Sequence, residues 1–373
     1  MANSDRIHFL GNLRAFVILL VILLHGSITY MVNAPVWWYV VDPQSSLLFT
    51  VLVLLVDVPI MQAMFFISGY LAMPSLQKRG AAGFLKEKVV RIGIPWVAGV
   101  LLLAAPTTYL NYYSRGVPMG LFEFWGTDFW TKLYQQSVYW YLGILMLMFV
   151  LLALVYVSSL RLQSSQVLVR QPSWKLWISF GALMSVCFLV INLFYNIDDW
   201  KNFGYLFVFQ PLRLPLYFGY FVLGIYARQG SWFTADGYKP GLAGWASASF
   251  ISGLLYLGLR MSVPATALNS ELPIKVITAI LFNSFCLSSL MAALALFQTR
   301  LNGAGRVWQS LSFSSYAMYY FHPLILYPLA LVFLTVQMPL IPKALTVILL
   351  GILLSWFFSS QVVRKLPILR EVF

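Results

Sequence analysis

An all-α polytopic integral membrane protein with about ten transmembrane helices and both termini cytoplasmic is the fold class the sequence predicts, and three observations predict it. Of its 373 residues 61% are hydrophobic and 9% charged, too apolar a balance for a soluble domain of this length. Runs able to cross about 30 Å of hydrocarbon fall at 12–33, 47–73, 92–110, 138–157, 176–195, 205–227, 242–259, 276–297, 310–334 and 344–360. Alternate connections (the N-terminus with Arg14, 74–91, 158–175, 228–241, 298–309 and 361–373) hold seventeen of the twenty-four Lys and Arg, and the positive-inside rule makes that set cytoplasmic. The net charge of +13 is thereby mostly topology rather than a sign of a nucleic-acid partner. No compositional break separates a second domain, so residues 1–373 read as a single transmembrane domain.

Both cysteines, Cys187 and Cys286, lie in apolar runs, which argues against a disulfide framework or a cysteine metal site. The chain has only three histidines, His8, His25 and His322, so imidazole chemistry has few candidates.

The first helix reads NLRAFVILLVILLHGSITY from Asn12 to Tyr30. Eleven residues separate Arg14 from His25; at ~1.5 Å rise and ~100° per residue that is ~16 Å along one face. Both should look into one vertical slot, Arg14 near a membrane surface and His25 near mid-depth, because such groups face a protein interior or a watery cavity. Val32-Asn33-Ala34 resembles a signal cleavage site, but the polar groups of the run and Pro35 directly after it argue for a retained helix.

The second helix carries Asp57 at a depth where it can meet His25 or sit at the outer interface. In its FFISGY segment, Gly69 permits close helix approach and Ser68 can donate a hydrogen bond. The connection 78–91 is the most basic: Lys88 and Arg91 lie one turn apart, with Lys86 nearby, and form an anion site unless topology alone explains the charge. The outer connection 111–137 is aromatic-rich, as an interfacial belt is; the alternative is a sugar-stacking floor around Glu123 and Asp128. Trp140 and Tyr141 open the fourth helix. Arg213 opens the sixth between Pro211 and Pro215 and is expected to snorkel, to pair with Asp198 or Asp199, or to face substrate. Ala243, Ser247, Ser249 and Gly253 on the seventh mark a helix contact.

The ninth run, SLSFSSYAMYYFHPLILYP, brings His322 to nearly the depth of His25. Pro323 and Pro328 free backbone carbonyls there, so His322 either satisfies those carbonyls or joins His25 in an active-site layer.

These segments resemble the membrane-bound acyltransferase-3 family: Arg14 and His25 with ten residues between them, FFISGY at 65–70, KVVRIGIP at 88–95, YFVLGIYA at 220–227 and SYAMYYFHP at 315–323. MQAMFFISGYL is most similar to the branch that succinylates periplasmic glucans. The resemblance implies transfer of an acyl group, acetyl or succinyl, from cytoplasmic acyl-CoA to a hydroxyl of an extracytoplasmic carbohydrate or glycolipid. It implies His25 as the catalytic histidine, Arg14 as its partner, and Lys88 with Arg91 as the donor-binding basic pair, although a Lys at the first position lacks the bidentate phosphate geometry of Arg.

A thioester needs a base, oxyanion donors and an aligned dry site. His25 would be the base, oriented by Asp57. Arg14, Lys86, Lys88 and Arg91 would hold the donor, and Ser68 or His322 would polarise its carbonyl. Acyl-CoA is then a substrate, with no tightly bound cofactor and no metal expected. An inner-membrane location, surrounding lipids and a homodimer are compatible with this. The competing readings are a secondary transporter of an anionic or sugar substrate, against which no internal repeat is found, and a scaffold in glycan assembly, which leaves the buried histidines unexplained.

Overall fold

The computed structural model describes residues 8–159, 171–234 and 236–373; Arg6, Arg161 and Arg170 of the basic connections lie outside them. The protein is a helical bundle, and every one of the ten apolar runs holds helix. Seven helical stretches among the described residues are long and apolar enough to cross a membrane, eight with one bent pair taken as a single span. The difference from ten has two causes. Leu47–Ser114 is one helical stretch of 68 residues carrying two of the runs, and Leu214–Gln229 has only 16 residues.

The first helix, His8–Ile28, is the axis of the bundle. It packs against the helices Leu47–Lys88, Arg306–Phe321, Leu340–Gln361 and Leu272–Thr299, which is why a helix apolar on all sides suits it. Trp174–Asn192 and Leu242–Ser262 are peripheral and leave side chains such as Phe250 and Ile178 on the outer surface. The latter helix touches Leu272–Thr299 through small residues: Ser249 and Ser289 Oγ atoms lie 2.8 Å apart, and Gly253 faces the Phe285 ring.

Glycine decides one crossing. Gly69 faces the Phe221 carbonyl and Gly224 the Phe66 carbonyl, so neither position has room for a Cβ. The second helix and Leu214–Gln229 therefore meet backbone to backbone.

The Leu47–Lys88 helix breaks at Gly80, whose φ of 68° and ψ of 169° suit glycine. After Lys88 the chain continues through a π-helical turn at Val89–Gly93, a short α-segment Ile94–Ala98, a second π-helical turn at Gly99–Ala104 and the helix Ala105–Ser114. Between the two π-turns Trp96 seats its indole against Gly143, stacks on Phe207 at 5.5 Å, and donates to Gln136 Oε1 at 3.3 Å.

Two departures from regular spans shape the site. Residues 205–209, which the sequence places at the start of the sixth run, belong instead to an antiparallel hairpin of Lys201–Phe203 with Phe207–Phe209. The ninth run bends by 64° between Arg306–Phe321 and Pro323–Leu334. Proline explains the bend: Pro323 has no N–H for the Tyr319 carbonyl, and it opens the new helix at a position where no N–H is needed.

Candidate active site

The bend creates a histidine pair. His322 is fully buried, and its Nδ1 lies 2.8 Å from the Tyr319 carbonyl that Pro323 leaves unpaired, and 3.2 Å from that of Met318. Its Nε2 lies 2.8 Å from His25 Nδ1. A carbonyl only accepts, so the hydrogen-bond network assigns the proton of neutral His322 to Nδ1, and Nε2 must accept. His25 then carries its proton on Nδ1 and donates it to His322. The lone pair of His25 Nε2 remains available to a reactant. Of the two roles that the sequence leaves open for His322, satisfying carbonyls and joining His25, the structure has both.

His25 opens onto a cavity of about 270 Å³, with Trp38, Gln136, Trp140, Trp200 and Tyr327 among its walls. The loop after the first helix supplies part of the wall because Asn111 Nδ2 donates to the Val36 and Trp38 carbonyls at 3.0 and 2.8 Å, and Tyr39 Oη donates to Gln135 Oε1 at 3.1 Å. The hairpin closes another side: Gln136 Nε2 donates to the Leu206 carbonyl at 2.9 Å. Trp38, Trp200 and Tyr327 are missed by sequence reasoning; the Trp37-Trp38-Tyr39 run is its one visible signal, and it reads equally as an interfacial belt. The alternative of a sugar floor around Glu123 and Asp128 is not supported, since neither residue borders the cavity beside His25. Glu123 is exposed, and Asp128 accepts from Tyr112 Oη at 2.9 Å and Lys132 Nζ at 3.0 Å, bracing its own loop. The Lys132 hydrogen bond holds the Asp128 carboxyl below its usual range.

A second cavity of about 300 Å³ lies on the side where the chain ends, bordered by Arg14, Ser68, Lys88, Arg91, Tyr141 and Tyr316. Arg14 Nη2 donates to the Ser312 carbonyl at 3.0 Å, and Ser68 Oγ shares a hydrogen bond with Tyr141 Oη at 3.0 Å. Lys88 Nζ sits 5.1 Å from the Phe84 ring centre and 5.2 Å from that of Phe149, with Glu87 at 3.7 Å. Arg91 is held loosely, Nε 3.4 Å from the Glu371 carbonyl and Nη1 3.9 Å from Glu87. Lys86 is exposed and does not border the cavity. Arg14 and His25 thus line separate spaces, where one continuous slot was expected.

Asp57 also departs from expectation. It does not orient His25: Arg213 Nη2 binds its carboxylate and Arg213 Nη1 its main-chain carbonyl at 3.2 Å. Of the alternatives for Arg213, snorkelling, pairing with Asp198 or Asp199, or facing substrate, the first two are not met: it is buried, and Asp198 and Asp199 bind Arg260 and Lys201. The Pro211–Arg213 turn points Arg213 inward over the Phe282 ring, 3% exposed, and a cation so deep needs a carboxylate close by. Asp57, Arg213 and His25 share a small cavity of about 60 Å³.

A bundle of membrane-length apolar helices defines a multi-pass membrane protein, and it holds a pair of hydrogen-bonded histidines inside it. A family model described as an acyltransferase domain matches residues 7–360, and the chain belongs to that acyltransferase-3 family. It is a membrane acyltransferase, which displaces the transporter and scaffold readings. Among curated proteins it is similar to glucans biosynthesis protein C of Escherichia coli K12, 29% identical over 150 residues, 39% of this chain and 37% of that protein. The protein of the same name from E. coli O1:K1 is 28% identical with the same coverage. The match spans little more than a third of the length of these relatives, 37%. No solved structure matches the chain.

Proposed function

We propose that the protein moves a short acyl group, acetyl or succinyl, from acyl-CoA on the cytoplasmic side of the inner membrane to a hydroxyl of an extracytoplasmic carbohydrate or glycolipid. One observation carries this reading: the hydrogen-bond chain from the Tyr319 carbonyl through His322 to His25 leaves the lone pair of His25 Nε2 uncommitted, and His25 borders a cavity with aromatic walls. The acceptor hydroxyl gives its proton to Nε2 while its oxygen attacks the thioester carbonyl. The C–S bond then breaks, and the proton passes from His25 to the departing CoA thiolate. His322 stabilises the transient imidazolium by accepting from Nδ1. Such a base contributes about 10²–10⁴ in rate.

Arg14, Lys88 and Arg91 bordering one cavity support an anionic, phosphate-bearing donor there. The Lys- and Arg-rich connections lie on that side, which supports its being cytoplasmic. Aromatic walls around His25 suit the apolar faces of sugar rings, and the name of the curated relatives supports a carbohydrate acceptor. Two reactants meeting at His25 need no covalent acyl-enzyme.

Proteoliposomes test the reading. Acyl-CoA on the Arg14 side and acceptor only on the other should give acylated acceptor, and labelled acyl-CoA alone should leave no stable label on the protein. Label retained on a side chain and chased off by acceptor would overturn the single-step mechanism; no product from any arrangement would overturn the donor assignment.

A further inference from the structure

Tyr319 stands where the two halves of the site would have to join. Its side chain, 3% exposed, borders both the Arg14 cavity and the small cavity beside His25. Its hydroxyl donates to the Val138 carbonyl, and Val138 borders the small cavity and the outer one. The ring meets Tyr141 edge-on with centres 5.6 Å apart, while Tyr141 is tied to Ser68 on the donor side. The backbone carbonyl of the same residue holds His322. One residue thus fixes the histidine pair with its main chain and walls it off with its ring.

We propose that Tyr319 is the partition between the donor cavity and the histidine pair, and that it sets the size of acyl group able to reach His25. The inference rests on the donor route proposed above. About 300 Å³ lies on the donor side and only about 60 Å³ in the small cavity directly across the ring, room for a few non-hydrogen atoms; the larger cavity of about 270 Å³ beyond it at His25 is the space assigned above to the acceptor. A short acyl group passes with a small displacement of the ring. A long aliphatic chain holds the ring aside, breaks its bond to Val138 and spreads its tail into the space the acceptor needs. The closed ring also keeps water on the donor side from the thioester carbon at the histidines, where attack would break the C–S bond and release free acid and CoA thiol.

Purified full-length protein in detergent, given acetyl-CoA or octanoyl-CoA with a glucose oligosaccharide as acceptor and followed by thiol release, tests this. Wild type should favour acetyl-CoA by at least about tenfold, the scale on which pocket size discriminates. Tyr319→Leu should raise the octanoyl-to-acetyl ratio about tenfold and increase acetyl-CoA hydrolysis without acceptor. Tyr319→Phe, which keeps the ring, should leave the ratio near wild type. Equal turnover of both donors by wild type overturns the proposal without recourse to any variant. An unchanged ratio in a Tyr319→Leu protein of wild-type melting temperature does the same. No turnover of either donor by wild type instead removes the donor assignment, and the partition's role with it.

Discussion

Lys343, at the start of the last long helix, closes on Asp42 in the loop after the first helix with Nζ 2.6 Å from Oδ2, their side chains 3% and 1% exposed. The Asp42 N–H also donates to the Thr29 carbonyl at 3.0 Å, and its Oδ1 accepts from the Gln44 N–H at 2.9 Å. The pair therefore anchors the loop that carries Trp38 and Tyr39. Removing one member of a buried pair costs about 3–5 kcal/mol because the other charge stays behind. Lys343→Met should lower the melting temperature in detergent sharply, and adding Asp42→Asn should recover much of the loss. A double variant no better than Lys343→Met would show that packing, not charge, is what the lysine supplies.

His25→Ala is expected to remove acyl transfer, a fall of about 10²–10⁴ for a positioned base, with expression and monodispersity near wild type. His322→Ala should also reduce kcat, and the double variant should be hardly worse than His25→Ala, because groups acting as one unit are not additive. Losses that multiply would mean the two imidazoles serve separate steps.

The inner cations are predicted to serve the donor. Lys88→Gln and Arg91→Gln should each raise the KM for acyl-CoA several-fold without changing that for acceptor, and the effect should shrink at high salt as phosphate contacts are screened. Lys86→Gln should change neither, since Lys86 does not border the cavity. Equal effects from all three would assign them a general surface field instead.

For Asp57 the expectation is structural. Asp57→Ala leaves the Arg213 cation buried without its carboxylate, at a cost of about 3–5 kcal/mol, and should lower thermal stability. A variant that melts as wild type does but loses kcat would return Asp57 to the role of orienting His25.

Much of this was legible from spacing alone. Helical rise per residue puts His25 and His322 at one depth, and run length finds the helices, because both depend only on local geometry. The Asp57–Arg213 pair was not legible: its members are 156 residues apart, and the inward turn at Pro211–Arg213 has no periodicity to betray it. The Trp37-Trp38-Tyr39 run reads equally as an interfacial belt because an aromatic at a membrane interface and one lining a cavity mouth satisfy the same solvation preference, and Trp200 carries no pattern of its own. The second half of the hairpin, YLFVF at 205–209, is as apolar as a span, so hydropathy merged it with the helix that follows.

The two π-turns between Lys88 and Ala105 act as phase shifters. Each i→i+5 turn accommodates one residue more than an α-turn would, and one residue advances everything beyond it by about 100° around the axis. Winding the same residues Val89–Gly93 as regular α-helix would leave an equally apolar, equally helical segment, with the basic end at Lys88 still in place. Beyond it, Trp96 would swing out of its seat at Gly143 and lose Gln136 and Phe207. A hydropathy profile cannot register the difference between the two windings, yet that difference decides whether the outer wall assembles.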